Sequence, residues 1–168
     1  MSLIIALIVG ALMVGVDQIT KAVVLDTIAT SGETVPFIKG VLSFYYTANT
    51  GAGFSIFTGQ TVFLIVFTVL VMALVVFLLI KGTFKHPLTD WGFCLVLSGG
   101  IGNLIDRVFN GGAVVDFIKT DFIEFPIFNV ADICVTVGAA LIILYFLIDL
   151  IKEAKTKKEK AERGTDNP

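Results

Sequence analysis

The chain has 168 residues, and 56% of them are hydrophobic, against about 45–50% in soluble domains. Together with a mean hydropathy of +0.94, this composition predicts an integral membrane protein of one compact domain. The formal net charge of −2 is too small to indicate a nucleic-acid partner, and no glycine-rich phosphate loop is present.

The residue types that carry most enzyme chemistry are scarce, which excludes several classes of site. The one histidine, His86, lies in a short polar turn, so neither a His-Glu zinc-protease motif nor a Ser-His triad is possible. Cys94 and Cys134 each lie within an apolar stretch and are interpreted as small buried hydrophobes. The sequence therefore predicts no metal site and no disulfide.

Four apolar runs each approach the roughly 20 residues that are needed to cross a bilayer. In chain order they are Leu3–Leu25, Thr61–Ile80, Leu88–Phe109 and Asn129–Ile151. The first run lacks a basic start and a small-residue cleavage site, so we expect a retained helix rather than a removed signal peptide. The predicted fold is an all-α membrane protein, a bundle of four transmembrane helices.

The connections between the runs differ in character. Asp26–Gln60 is long, and its central part combines strand-forming residues with turn glycines, which predicts a small curved extracytoplasmic β-sheet that rests on the membrane surface. Asn110–Phe128 is apolar enough to dip into the interface. The membrane domain is expected to span residues 1–151, with both of these outer loops, 26–60 and 110–128, included. Residues 152–168 form a charged tail.

The distribution of basic residues predicts which side of the membrane each connection occupies. If both termini are cytoplasmic, eight basic residues lie inside: Lys81, Lys85, Lys152, Lys155, Lys157, Lys158, Lys160 and Arg163. Four then lie toward the outside: Lys21, Lys39, Arg107 and Lys119. This excess favours cytoplasmic termini, although the tail supplies most of it.

In this orientation the polar residues of the spans gather at the outer side. Asp17 lies roughly 21 Å along the first helix at about 1.5 Å per residue, and Lys21 follows one turn later on the same face. The third span ends with Asn103, Asp106 and Arg107, and the fourth begins with Asn129 and Asp132. We therefore expect one polar cluster near the outer surface. The small residues from Ser98 to Gly102 predict close helix packing beneath it.

Several of these polar residues also have a purely structural interpretation. Asp17 and Lys21 could be an i,i+4 pair that holds the first helix in place. Asp106 and Arg107 could be the solvated end of a helix, with the cation favoured by the helix dipole. Asn129 and Asp132 could be an N-cap followed by an acidic residue at the third helical position. Such local interpretations leave the function of the cluster open.

Asp116 is the residue that a structural interpretation explains least well. Two valines precede it and Phe117 and Ile118 follow it, so a plain solvated loop carboxylate is not expected. A carboxylate in or near a membrane is costly and marks a functional site by default. Asp116 and Asp132, in one pocket, would suit acid–base chemistry on a substrate that the membrane itself holds.

Five separated motifs resemble those of the lipoprotein signal peptidase family, also called signal peptidase II, over nearly the whole chain and in the same order. They are Asp17-Gln-Ile-Thr-Lys21, Asn49-Thr-Gly-Ala-Gly-Phe54, Gly99-Gly-Ile-Gly-Asn-Leu-Ile-Asp-Arg107, Val114-Val-Asp-Phe-Ile118 and Phe125-Pro-Ile-Phe-Asn-Val-Ala-Asp132. Two departures are small: Gly53 stands where alanine is expected, and Cys134 where a small polar residue is commoner. Neither removes a candidate catalytic group.

This resemblance implies a bacterial aspartyl protease of four spans that removes the signal peptide from lipoprotein precursors. It gives Asp116 and Asp132 the positions of the catalytic pair. The family's other recurrent polar positions are matched by Asp17, Lys21, Asn49, Asn103, Arg107 and Asn129. The implied substrate is a prolipoprotein whose cysteine bears a diacylglyceryl group, and cleavage falls just before that cysteine. We expect a monomer among the lipids of the cytoplasmic membrane, with its active site toward the outer face and no cofactor.

Three other functions remain as alternatives. A proton- or ion-coupled transporter would use the Asp and Lys residues as a relay, although the polar groups gather at one interface and no pair of repeats with broken helices is seen. A structural membrane partner would have no chemistry of its own. A serine–lysine protease would need Ser55 and Lys21 to meet, and nothing in the sequence brings them together.

Overall fold

The computed structural model describes residues 2–53 and 56–164. Met1, Phe54, Ser55 and residues 165–168 lie outside the described residues, and with them the serine of the serine–lysine alternative, one end of the second motif and the end of the tail. The described chain is mostly helical with one small sheet. Its helices are α1 (Ser2–Ser31), α2 (Thr61–Lys81), α3 (Pro87–Phe109) and α4 (Val130–Gly164), and its strands are β1 (Val35–Ile38), β2 (Leu42–Asn49) and β3 (Val114–Thr120).

The four helices confirm the four predicted runs, and all four are long and apolar enough to cross a membrane. The helix ends follow local chemistry. Gly82, in the left-handed conformation at φ 59°, ends α2. His86 caps α3 because its Nδ1 accepts the Leu88 N–H at 3.2 Å, and Pro87 takes the first helical position. The one histidine of the chain is thus a helix cap.

Helix α1 continues beyond the predicted end at Leu25 as far as Ser31. The added turns carry Ile28 which, with Val24, packs against Val115 and Phe117 of β3 in the main buried apolar cluster. Gly32, at φ 67°, then ends the helix, and its N–H donates to the Ile28 carbonyl at 2.9 Å. Burial beneath the sheet therefore accounts for the extra length.

The sheet is antiparallel with the strand order β1-β2-β3. The predicted sheet in the connection 26–60 is therefore incomplete, since only β1 and β2 come from that segment and β3 comes from the connection 110–128. In the register between β2 and β3, Thr47 lies opposite Asp116, and Asn49 lies opposite Val114. The sheet thus brings the end of β2 next to Asp116.

Helix α3 is the central helix, and three of its glycines each face a different neighbour. A Cβ at Gly99 would overlap the Ala131 carbonyl of α4, and one at Gly100 would lie 3.3 Å from the Met72 side chain of α2. At Gly102 a Cβ would lie 2.5 Å from Asp17 Oδ2 of α1. Close helix packing below the polar cluster was predicted, and these contacts confirm it.

Candidate active site

Asp116 and Asp132 line the same cavity, which has a volume of about 890 Å³. Asn49, Asn103 and Arg107 also line it, and the rest of its wall is largely apolar. The apolar part comes from one stretch of each of three helices: Phe67–Met72 of α2, Val96–Gly100 of α3 and Ile133–Val137 of α4. From Arg107 to Val96 the cavity follows α3 for roughly 16 Å at about 1.5 Å per residue.

Asp116 lies in β3 and is only 2% exposed. Its Oδ2 accepts a hydrogen bond from Asn49 Nδ2 at 2.9 Å, and its Oδ1 accepts one from Asn129 Nδ2 at 2.7 Å. Burial, and then the charge of Asp132, raise the pKa of Asp116 to about 7, against the opposing effects of the two asparagine bonds and of Lys21. Asp116 can therefore hold or release a proton near neutral pH.

Asp132 lies in the first turn of α4 and is bound from two directions. Its Oδ2 accepts the Asn129 backbone N–H at 3.1 Å, while its own N–H donates to Asn129 Oδ1 at 2.9 Å. This reciprocal pair is a capping box, which confirms the predicted N-cap geometry. Its Oδ1 accepts from Asn103 Nδ2 at 2.8 Å. Asp132 is also partly exposed toward the cavity, so its capping role leaves it accessible.

Asn129 is completely buried and contacts both aspartates. Its side-chain nitrogen donates to Asp116 and also to Asn103 Oδ1 at 3.1 Å and to the Val115 carbonyl at 3.3 Å. Because its oxygen is occupied by the Asp132 N–H, the amide has one orientation only. Asn129 therefore fixes the two carboxyl groups relative to one another.

Asp17 and Lys21 lie behind this pair, away from the cavity lining. Lys21 Nζ is 2.8 Å from Asp17 Oδ2 and 2.9 Å from Asp106 Oδ2, and all three side chains are at most 3% exposed. Its third contact is Asn103 Oδ1 at 3.1 Å. The predicted i,i+4 pair is thus present, but it is one part of a larger buried cluster.

Asp106 and Gln18 belong to this cluster, and neither was predicted as a site residue. Asp106 is 2% exposed, so the interpretation of this residue as a solvated helix end is wrong. Gln18 Nε2 donates to Asp17 at 3.1 Å and to Asp106 at 3.2 Å. The sequence held one signal for such partners. A buried lysine has three N–H donors, and Asp17 can accept from only one of them, so Lys21 needs further acceptors nearby.

Asn49 and Arg107 hold the segment after β2 against the cavity. Asn49 Oδ1 accepts the Gly51 N–H at 2.8 Å, and Arg107 Nη2 donates to the Gly51 carbonyl at 2.9 Å. Arg107 Nη1 also donates to the Asn103 carbonyl at 3.4 Å. The buried Nε of Arg107 has no hydrogen-bond partner among residues 2–53 and 56–164.

All eight predicted site residues therefore lie in one connected region, in two layers. Five line the cavity: Asn49, Asn103, Arg107, Asp116 and Asp132. Asn129 and Lys21 lie behind them and hydrogen-bond to lining residues, and Asp17 is connected to the lining through its ion pair with Lys21. Within the described part of the chain, no group of three or more His, Cys, Asp or Glu side chains is placed to hold a metal ion.

Comparison with known proteins gives a consistent result. A family model described as signal peptidase (SPase) II matches residues 9–148. A lipoprotein signal peptidase of Enterococcus faecalis is 44% identical over 147 residues, which are 88% of this chain and 90% of the relative. One of Lactobacillus johnsonii is 39% identical over 141 residues, or 84% of this chain and 90% of the relative.

Solved structures agree. A bacterial membrane enzyme determined by the in meso method at 2.3 Å resolution superposes with a TM-score of 0.79 at 33% identity, over 86% of this chain and 88% of that one. A second such structure, at 1.9 Å resolution, gives a TM-score of 0.73, also at 33% identity, over 84% of this chain and 92% of that one. The chain belongs to the signal peptidase II family of bacterial membrane peptidases.

Proposed function

We propose that this protein is an aspartic endopeptidase that removes the signal peptide from diacylglyceryl-modified prolipoproteins, with cleavage just before the lipidated cysteine. The observation that carries the proposal is the convergence of Asp116 and Asp132 on one cavity, where Asn129 joins them. Two carboxyl groups in such a site cannot both ionise cheaply, so the pair holds one proton at working pH.

The chemistry follows from that shared proton. The ionised carboxyl takes a proton from a water molecule, and the resulting hydroxide adds to the carbonyl carbon of the scissile peptide. The protonated carboxyl donates its proton to the carbonyl oxygen, which gives a neutral tetrahedral intermediate. When the C–N bond breaks, the carboxyl that took the proton from water gives it to the amine nitrogen of the lipidated cysteine, and the intermediate returns a hydroxyl proton to the other carboxylate. The net reaction consumes one water molecule and calls for no metal or organic cofactor.

The two aspartates have different surroundings, and this gives them different roles. Asp132 accepts a backbone N–H at the start of α4 and an asparagine amide, and both interactions favour a carboxylate. The pKa of Asp116 is raised to about 7, so near neutral pH this residue retains a large share of the proton. In the free enzyme Asp116 then holds the shared proton more often than Asp132 does, and the pair titrates as a unit.

The apolar part of the cavity supports a membrane-held substrate. Its lining includes Phe67, Val71 and Met72 of α2, Val96 of α3 and Val137 of α4. A hydrophobic signal peptide fits against this wall, and the acyl chains of the substrate extend into lipid. Asn103 and Arg107 lie where main-chain carbonyls or ester groups of the substrate would pass. The excess of basic residues at the other end of the bundle supports cytoplasmic termini and an outward-facing active site.

Cleavage of a lipidated precursor by the purified protein in detergent tests the proposal. The wild type should release the signal peptide, and Asp116→Asn and Asp132→Asn should each lower the rate by at least about 100-fold, the low end of acid–base catalysis. Asp149→Asn is the matched control, since Asp149 lies on α4 as well, is exposed and does not line the cavity. Near-wild-type cleavage by either active-site variant would reject the mechanism. A transporter would leave the precursor intact.

A further inference from the structure

The residue before each active-site aspartate donates its backbone N–H to a buried carboxylate of another element. We propose that Asp17, Lys21 and Asp106 form a clamp that sets the positions of the two catalytic carboxyl groups relative to each other. This inference rests on the proposed function and adds positioning residues to it. Three contacts and their connection carry the argument.

The first contact positions Asp116. Its neighbour Val115 donates its N–H to Asp106 Oδ2 at 3.0 Å, and Val115 itself is 3% exposed. Asp106 is on α3, whereas Val115 is in the first part of β3. This bond therefore fixes the position of β3 relative to α3 at the residue that precedes Asp116.

The second contact positions Asp132 in the same manner. Its neighbour Ala131 donates its N–H to Asp17 Oδ1 at 2.9 Å, and Ala131 is 1% exposed. Asp17 is on α1, so it binds the N-terminal turn of α4, where free N–H groups favour an anion. This bond fixes the start of α4 against α1 one residue before the second carboxyl group.

Lys21 joins the two contacts and adds a third. Its ammonium lies 2.8 Å from Asp17 and 2.9 Å from Asp106. Its remaining hydrogen goes to Asn103 Oδ1 at 3.1 Å, which orients the Asn103 amide so that its nitrogen donates to Asp132. All three donors of the ammonium are then used, and the side chain is 3% exposed, so Lys21 has no donor left for a substrate.

Two further residues reinforce the connection. Gln18 Nε2 donates to both carboxylates of the clamp and to the Gly102 carbonyl at 3.1 Å. Gly102 leaves room for Asp17, since a Cβ there would lie 2.5 Å from the carboxylate oxygen. A buried ion pair adds little to stability when compared with apolar residues of the same volume. The three polar partners around Lys21 are therefore explained by a need to fix positions rather than by a gain in stability.

Kinetics of Lys21→Met, Asp17→Asn and Asp106→Asn test the clamp, with kcat expressed per folded molecule. Because a misplacement of about 1 Å can cost on the order of 100-fold in rate, each variant should lose kcat on that order while KM stays unchanged. The double variant Asp17→Asn/Asp106→Asn should be slower than either single variant, since Asp17 binds Ala131, Asp106 binds Val115, and Lys21 then has neither carboxylate. Asp106→Asn retains an oxygen that can accept the Val115 N–H, so this variant should fold. It therefore tests the clamp even if Lys21→Met does not fold.

Ser98→Ala is the matched control. Ser98 Oγ donates to the Gly10 carbonyl at 2.8 Å, a buried bond that also joins α3 to α1 but does not touch the clamp. It should lower thermal stability and leave kcat per folded molecule unchanged. Unchanged kcat in the clamp variants, or a loss that lies wholly in KM, would overturn the clamp. Asp116→Asn in the same assay separates the two proposals: if it cleaves normally the proposed function fails, and if it alone is inactive only the clamp fails.

Discussion

The side-chain amide of Asn129 donates a 2.7 Å hydrogen bond to Asp116 from a fully buried position. The other atoms of the same residue cap the helix that carries Asp132. One asparagine thus serves a strand and a helix, and its two roles can be separated experimentally because only one of them depends on the length of the side chain.

Replacement of Asn129 by serine and by alanine separates those roles. Serine is a good N-cap but is too short to reach Asp116, whereas alanine provides neither function. We expect both variants to lose peptidase activity, and only Asn129→Ala to lose about 1 kcal/mol of stability from the missing cap. Parallel thermal unfolding and cleavage assays measure this. A fully active Asn129→Ser would show that the bond to Asp116 has no catalytic role.

The pH dependence of kcat/KM should show a falling limb near neutrality. Since the pKa of Asp116 is about 7, the proton of the pair is present below that pH and is lost above it. The Asn49 amide lowers that pKa because it favours the ionised carboxylate. Asn49→Ser, which can retain the local turn, should therefore move the limb to higher pH. A limb that stays in place or moves to lower pH would contradict this assignment. The other charged groups near Asp116 are Asp132, Lys21 and Arg107.

Gly102→Ala should destabilise the bundle although alanine favours helices. Its Cβ would lie 2.5 Å from Asp17 Oδ2 and 3.1 Å from the Ala131 Cβ, so the contact between α1 and α3 must shift. We expect a cost of roughly 1–3 kcal/mol, as for other overpacked cores, together with loss of activity. Gly15→Ala on α1 has nothing within 4 Å and should be neutral or stabilising by about 0.5–1 kcal/mol. Equal thermal stability of the two variants would contradict the packing argument.

Arg107→Lys tests the attachment of the segment after β2. The guanidinium reaches two carbonyls, those of Gly51 and Asn103, and a lysine ammonium lacks the planar geometry to replace both bonds. Loss of one charge-assisted bond of about 1.5–3 kcal/mol should lower kcat/KM by roughly 10- to 100-fold. Limited proteolysis at residues 50–60 should also become faster. Unchanged proteolysis with reduced cleavage would indicate a direct contact of Arg107 with substrate instead.

Much of the helical fold could be predicted, because each membrane-spanning helix is a continuous apolar run of the sequence. The four runs and the Asn129 cap depend on residues that are neighbours along the chain. The position of β3 could not be predicted, since its pairing with β2 joins residues about 70 positions apart, such as Thr47 and Asp116. The apolar stretch around Asp116 equally suits a segment in the membrane interface.

The candidate site divides in the same way. Residues of the cavity lining stand out in the sequence because a polar group beside a membrane span is rare. Asp106 belongs to the expected polar cluster, but its place in the sequence equally suits a solvated helix end, where charged residues are common. Only the fold shows that Asp106 turns inward to Lys21 and Val115 while Arg107 contacts Gly51.

The 2.8 Å contact between Asp17 and Lys21 also bears on how the chain enters the membrane during synthesis. Helix α1 emerges from the ribosome before Asn103, Asp106 and Ala131 have been made, so its two charges must be tolerated without their later partners. Spaced by one helical turn, they can neutralise each other within α1, which reduces the cost of carrying two charges into the membrane before the later helices are made.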